Sequence, residues 1–340
     1  MNKSQARGYL LEIVLSKLIE INGYESIRTA DNYEIVSEHH GLNVKGRGGL
    51  HQFDTLGRFR ITPPFVYPLR LFVEAKFQSN PVGIDRVRMG IGILDDVNSN
   101  YSTVQMGHQQ LTVERYQYHY AIFSASGFTD NALRLAIAHK IQLIDLSGDE
   151  YRVILDFINE IVECLSDIYS QENSTISKED FAEFKEQFSK IIREESDESD
   201  FIYSREILDA VKDLKCVING MNLYFATVNN QFIIPLLSDK KFKNSLSMNP
   251  HKYIAIKRKE DHPNKWIITS KDNQDFLIRF TLPNVLHEYM ISNINHKDNI
   301  AMDIKENRIG RLVFIAYLDG YNPTLCTLKF DKDFTQTKLE

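Results

Sequence analysis

Residues 50–77 read LHQFDTLGRFRITPPFVYPLRLFVEAKF, and the fold turns on how this stretch divides. Leu50–Phe59 and Leu69–Phe77 read as two strands. In the second, Leu71, Val73 and Ala75 point one way while Phe72, Glu74 and Lys76 point the other, because side chains alternate along a strand. The Glu74 carboxylate and the Lys76 ammonium therefore leave the sheet together. If the two strands pair, Asp54 lies beside Glu74. Two carboxylates converging on one point repel unless a cation sits between them, and hard oxygen ligands with a few waters are what Mg²⁺ takes. A divalent ion there activates water and neutralises the charge that builds on a phosphate during hydrolysis. Lys76 is placed to orient the attacking water or to stabilise the pentavalent phosphorus. Taken alone, D…ExK is a weak pattern, since charged pairs on exposed strand faces are common.

On the amino-terminal side, Ser4 caps a helix whose stripe is Tyr9, Leu10, Ile13, Val14, Lys17 and Leu18, with Glu12 next to it, ending at Asn22-Gly23. Tyr33–Val36 reads as an edge strand and Gly41–Gly49 as a glycine-rich loop. On the carboxyl side, Val82–Val97 has helical spacing, and Gly90-Ile-Gly92 within it allows close helix packing. Asn98–Glu114 is polar and reads as a long loop. Tyr120–Ala125 is a strand, Phe128–His139 a helix capped by Thr129, Ile141–Leu146 a strand and Asp149–Tyr169 a helix. This is an α/β order around a central sheet.

Gln171–Ser177 reads as a polar linker, and Phe181, Phe184, Phe188 and Ile191 mark an amphipathic helix that fades into the acidic run Glu194–Asp200. From Cys216 the texture changes to short strands between turn signals, with Asn219-Gly220 and Asn229-Asn230 as hairpin turns and helices near 205–215 and 284–293. Three parts follow: residues 1–170, a helical and acidic linker over 171–200, and a mainly β domain over 201–340.

The 340 residues carry 43% hydrophobic and 25% charged side chains, which excludes disordered, collagen-like and coiled-coil classes. No window approaches the ~20 apolar residues of a membrane span. The start, MNKSQARGYLLE, reads as a helix rather than a secretory signal. Three dispersed cysteines fit neither a disulfide framework nor a zinc site, which points to the cytoplasm. Lys and Arg balance Asp and Glu at 15 against 16 over residues 1–150, 5 against 14 over 151–200 and 20 against 16 over 201–340, so the acidity sits mid-chain. A nucleic-acid partner is compatible with the net charge of −6, because a local patch meets the phosphates.

The segments GYLLEIVLSKLIEINGY, GRGGLHQFDTLG, LFVEAKF-x₃-PVGIDRVRMGIGILDD and YAIFSASGFTDNALRLAIAHKIQLIDL resemble, in order over about residues 4–148, the blocks of the Mrr-like restriction endonucleases of the PD-(D/E)xK nuclease superfamily. The resemblance implies a restriction-endonuclease-like core, a central mixed sheet flanked by helices, over residues 1–170. It makes Asp54 and Glu74 metal ligands, Lys76 the catalytic lysine, and Glu12 a carboxylate that completes the metal shell. The cofactor implied is Mg²⁺, with Mn²⁺ able to substitute. Gln52 shares the Asp54 face by strand alternation and is placed to touch metal-bound water or substrate. Arg47 and His51 flank the site as phosphate contacts, and Arg86 and Arg88, early in the next helix, are candidates for a DNA backbone. GRGGLHQFD departs from the family's commoner Asp-Gly loop, which leaves substrate preference open.

The activity implied is Mg²⁺-dependent hydrolysis of phosphodiesters in double-stranded DNA, in defence against foreign DNA, as a restriction enzyme or as the effector of a multi-component system. Cutting both strands makes a homodimer the default. The alternative is a nuclease-like module that binds nucleic acid or a partner protein without cutting. The carboxyl-terminal domain supplies targeting or docks a protein partner; Lys240-Lys241-Phe242-Lys243 and Lys257-Arg258-Lys259, with Tyr253 and Trp266, suit a nucleic-acid surface.

Overall fold

The computed structural model describes residues 1–31, 33–38, 41–62, 64–100, 102–113, 116–169, 177–196, 200–228, 232–259, 262, 264–270, 276–282, 288, 306–307 and 309–331. It is a mixed α/β structure in two units. One comprises Met1–Glu20 with Tyr24–Gly220, the other Ile21–Gly23 with Met221–Glu340.

The first unit runs α1 (Lys3–Ile21), β1 (Tyr24–Ser26), β2 (Ile35–Glu38), β3 (Gly41–Lys45), β4 (Leu50–Gln52), β5 (Thr55–Phe59), β6 (Leu69–Lys76), α2 (Ile84–Asn98), β7 (Ser102–Met106), β8 (Gln109–Val113), β9 (Gln117–Ser124), α3 (Asp130–His139), β10 (Gln142–Asp145), α4 (Asp149–Tyr169), α5 (Lys178–Arg193) and α6 (Arg205–Gly220). Its main sheet has the order β1-β5-β6-β9-β10. The pairs β1/β5 and β5/β6 are antiparallel, whereas β6/β9 and β9/β10 are parallel, so the sheet is mixed. β6 lies at its centre and is buried from Arg70 to Ala75. On the Glu74 face, Phe72, Tyr120 and Ile122 pack with Val87 of α2 and Ala132 and Ala136 of α3.

Several elements differ from the sequence reading. Leu50–Phe59 is not one strand but two: β4 pairs with β3 in a separate three-stranded sheet, and β5 joins the main one. The chain bends between them, where Asp54 accepts the Ala75 main-chain N–H and Phe53 sets its ring edge-on against Phe72. Gly41–Gly49 is a strand followed by a short turn rather than a loop throughout. That turn folds onto Asp96, and a Cβ on Gly46 would stand 1.9 Å from Asp96 Oδ2. Asn98–Glu114 contains the hairpin β7/β8, turned at Gly107 with φ 62°, which favours glycine. The ribbon is polar because it adds no strand to the main sheet. As the sequence suggests, Thr129 caps α3, accepting from the Ala132 N–H at 3.3 Å.

The stretch expected as linker carries α5, whose Phe181, Phe184, Phe188, Ile191 and Ile192 are buried. Phe184 meets Phe188, Phe201 and Tyr203, and Arg193 bonds Glu20 and Ser16 of α1. Packing therefore places α5 and α6 in the first unit, and its break with the second falls after Gly220 rather than at 170 or 200. Asn219-Gly220 lies in the last turn of α6 instead of turning a hairpin.

The second unit contains β11 (Asn222–Val228), β12 (Phe232–Ser238), α7 (Lys240–Met248), β13 (His251–Arg258), β14 (Lys265–Ser270), β15 (Leu277–Thr281), β16 (Arg311–Tyr317) and β17 (Pro323–Phe330). These strands close into a seven-stranded barrel ordered β11-β12-β15-β14-β13-β17-β16, and the short strands expected from Cys216 begin only at Asn222, because residues 216–220 belong to α6. Alternate residues of each strand fill its core, including Trp266, which is 1% exposed and stacks on Phe280. Trp266 is thus a core residue rather than a surface reader. The lysines of 240–243 lie on α7, anchored by buried Phe242. The turn expected at Asn229-Asn230 lies outside the described residues, as does the helix expected over 284–293 apart from Glu288. No helix among the described residues is long and apolar enough to cross a membrane.

Candidate active site

Asp54 stands at the bend where β4 gives way to β5. In the antiparallel pair β5/β6, Thr55 faces Val73, and Asp54 precedes Thr55 at the bend, near enough to Glu74 for its charge to be felt. Asp54 Oδ2 accepts the Ala75 N–H at 2.8 Å, which fixes the carboxylate over β6. Burial raises the Asp54 pKa, against the pull of that N–H and of the Lys76 charge.

Glu74 is buried at 7% exposure, and both its oxygens are engaged. Oε1 pairs with Lys76 Nζ at 2.6 Å, as strand alternation requires. Oε2 accepts the Tyr120 hydroxyl at 2.6 Å. Tyr120 comes from the neighbouring parallel strand β9, its ring stacked on Phe72 at 5.8 Å. Burial and then the Glu74 charge raise its pKa, so the phenol remains a donor. A Cβ on Gly90 would lie 3.0 Å from that ring, so this glycine lets α2 close onto Tyr120; nothing lies within 4 Å of a Cβ on Gly92.

Glu12 reaches the same place from α1. The Thr55 hydroxyl donates to the Glu12 carbonyl at 3.1 Å, tying the helix to the start of β5. Burial, and after it the Asp54 charge, raise the Glu12 carboxyl to about 8, opposed by Lys185 and Lys76. Lys185 belongs to α5 and lies with its ammonium 4.5 Å from the centre of the Tyr9 ring. Glu12, Gln52, Asp54, Glu74, Tyr120 and Lys185 together line a cleft of about 840 Å³.

The other expected residues divide. Gln52 lines the cleft, but from β4 of the smaller sheet, so its place does not come from alternation with Asp54 along one strand. His51 is turned to structure: its Nε2 lies 2.7 Å from Asp96 Oδ2, and the same carboxylate accepts the N–H groups of Gly48 and Gly49. Arg47 is exposed on that turn, its main-chain N–H on the Asp96 carbonyl, and neither residue lines the cleft. Arg86 and Arg88 are exposed on the first turns of α2, also outside the lining; Arg88 pairs with Asp85 at 3.2 Å, while the Arg86 charge is felt at Tyr120.

Tyr120 and Lys185 were not among the expected site residues. Tyr120 sits in an apolar strand run with nothing to distinguish it, and Lys185 lies on a helix far along the chain.

Among the described residues, no three His, Cys, Asp or Glu side chains are gathered as a ready-made metal cage. The donor chemistry still suits a hard cation. Glu12, Asp54 and Glu74 offer only oxygen, and burial with mutual repulsion holds Glu12 and Asp54 above the usual carboxylate range. A cation relieves such a surplus of negative charge.

No protein-family model matches the chain, and no curated protein matches it. Among solved structures, a "Crystal Structure of Protein of Unknown Function AF1548" aligns with 62% of this chain and 98% of its own, at 14% identity and a TM-score of 0.35. A likeness this slight carries no argument.

Proposed function

We propose that the chain is a metal-dependent endonuclease of the PD-(D/E)xK type, Mrr-like in its core, that hydrolyses phosphodiester bonds in double-stranded DNA and serves in defence against foreign DNA. The observation that carries this reading is that Asp54, held by the Ala75 N–H, lines the same cleft as Glu74, with Lys76, outside that lining, paired to Glu74. A helix entering a mixed sheet, antiparallel first and parallel after the α2 crossover, is consistent with a restriction-endonuclease-like core.

Asp54, Glu74 and Glu12 are the residues that would hold Mg²⁺ or Mn²⁺. When bound, the ion supplies charge neutralisation at the phosphate and a more acidic water. Ala75 N–H and Tyr120 hold the Asp54 and Glu74 carboxylates in place. Lys76, released from Glu74, is the donor that stabilises charge developing on the phosphate oxygens. Lys185 adds a second cation on the α5 side of the cleft, suited to a neighbouring phosphate. Two copies of the chain serve the two strands of a duplex.

Purified protein with Mg²⁺ is expected to nick or linearise supercoiled plasmid, and Asp54→Ala, Glu74→Ala or Lys76→Ala each to lower the rate by at least about 100-fold. Cleavage undiminished in all three variants would refute the assignment.

A second reading is favoured by the full engagement of Glu74: a nuclease-like module that binds nucleic acid or a protein without cutting. Calorimetric titration with Mn²⁺ separates the two. The nuclease binds the ion and loses it in Asp54→Ala, whereas a non-cutting module gives no such heat.

A further inference from the structure

The seven barrel strands contain seven Lys or Arg and no Asp or Glu. Their distribution is uneven. All seven cations lie on β13 to β17, which are contiguous in the barrel in the order β15-β14-β13-β17-β16. Because Ile254, Ile256, Ile278, Leu312 and Leu328 point into the core, alternation turns Tyr253, Lys257, Arg279, Arg311 and Lys329 outward.

The register then arranges these residues in two rows. Arg311 faces Lys329 across β16/β17, and Lys329 faces Tyr253 across β17/β13. Lys257 faces Ile267 across β13/β14, and Ile267 faces Arg279 across β14/β15. Neighbouring strands are about 4.8 Å apart and each residue advances about 3.3 Å, so the rows are separated by roughly 13 Å along β13. Lys257, Arg279, Arg311 and Lys329 are exposed, and none makes a salt bridge among the described residues. Tyr253 is 51% exposed, with the Lys329 ammonium 5.9 Å from its ring centre.

We infer that this outer face of the barrel binds single-stranded nucleic acid, the cations tracking phosphates and Tyr253 stacking on a base. Asp331, just past β17 on the same face as Lys329, is a carboxylate between the rows, and the four exposed cations outnumber it; such an excess attracts any polyanion, and an exposed aromatic ring among them specifies one that carries bases. The site uses no residue of the cleft and needs no metal, so it stands whether or not the chain cuts DNA.

The test is fluorescence anisotropy of the full chain with 5′-fluorescein-labelled dT₂₀ in EDTA, over a series of salt concentrations. The triple variant Lys257→Glu, Arg311→Glu, Lys329→Glu is expected to bind at least about tenfold more weakly, with a salt slope shallower by about two, since each single-strand phosphate contact adds about 0.7. Tyr253→Ala, which leaves every charge in place, is expected to lose about fivefold or more. Melting temperatures equal to wild type identify these as surface effects, and the single-residue Tyr253→Ala decides the matter should the triple variant melt early. The inference is overturned if wild type does not bind dT₂₀, if the charge reversals leave its affinity unchanged, if Tyr253→Ala binds as wild type does, or if polyglutamate of equal charge binds as tightly.

Discussion

Tyr120 and Lys76 divide the two oxygens of Glu74 between them, and Ala75 N–H takes one oxygen of Asp54, so the carboxylates are oriented by neighbours on β6 and β9. Groups that orient a metal ligand commonly change metal affinity by about 10–100-fold. Tyr120→Phe is therefore expected to raise the Mg²⁺ concentration for half-maximal plasmid cleavage by about tenfold, with the rate at saturating Mg²⁺ falling less. An unchanged Mg²⁺ dependence would reduce the bond to packing. Glu12 has a sign that can be worked out. Its folded pKa of about 8 lies above the ordinary 4.5, so between these values the folded chain keeps a proton that the unfolded chain has lost. Its contribution is fully present below about 4.5, falls as pH rises and levels off above about 8. In EDTA, the melting temperature of Glu12→Gln should exceed that of wild type by a margin that grows from about pH 5 to pH 8.5. A margin independent of pH would show that Glu12 does not titrate in this range. Glu74 with Lys76 was legible from two-residue alternation. The Tyr120 bond was not, because it joins β6 to a strand that follows α2 and a hairpin.

Helix α5 shows how an element changes meaning once its packing is known. Its phenylalanine stripe predicts an amphipathic helix, and that helix forms, capped by Ser177 and ended by Glu194 in the left-handed region at φ 64°. The polar stretch before it and the acidic run after it suggest a linker, yet the stripe is buried and Lys185, on the same helix, lines the cleft. Local composition reports that a helix has an apolar face but not what that face covers. Phe184 is fully buried, and its truncation to alanine removes the ring from four aromatic neighbours. The expected cost is about 3–5 kcal/mol of unfolding free energy, read from urea denaturation. A loss under about 1 kcal/mol would mean that α5 is not docked as described. Similar reasoning covers Asp54: the reading of one strand from Leu50 to Phe59 follows from composition, whereas the bend follows from a hydrogen bond to Ala75 that no window of residues contains.

Over the whole molecule, the change of texture after Cys216 corresponds to a real change of architecture, from a mixed sheet with helices to a closed barrel. Closure gives each strand a neighbour on both sides, through only two residue pairs at β11/β16 and at β12/β15, and the barrel has its own core. A fragment of residues 221–340 is accordingly expected to unfold cooperatively by near-ultraviolet circular dichroism, and a featureless spectrum would contradict this. The chain's own pattern marked most helices and the strands β6, β9 and β10, because alternation and helical spacing are local, and it put Glu74 and Lys76 on one face for the same reason; it took β3 and the β7/β8 hairpin for loops and β4 with β5 for one strand. It also singled out Asp54. Tertiary packing decided the rest: that Asp54 and Glu74 share a cleft, that Glu12 and Lys185 reach it from distant helices, that His51 serves Asp96, and that Trp266 lies inside the barrel while Tyr253 stands outside. Contacts between residues far apart in sequence depend on register and closure, and neither leaves a signature in the spacing of neighbours.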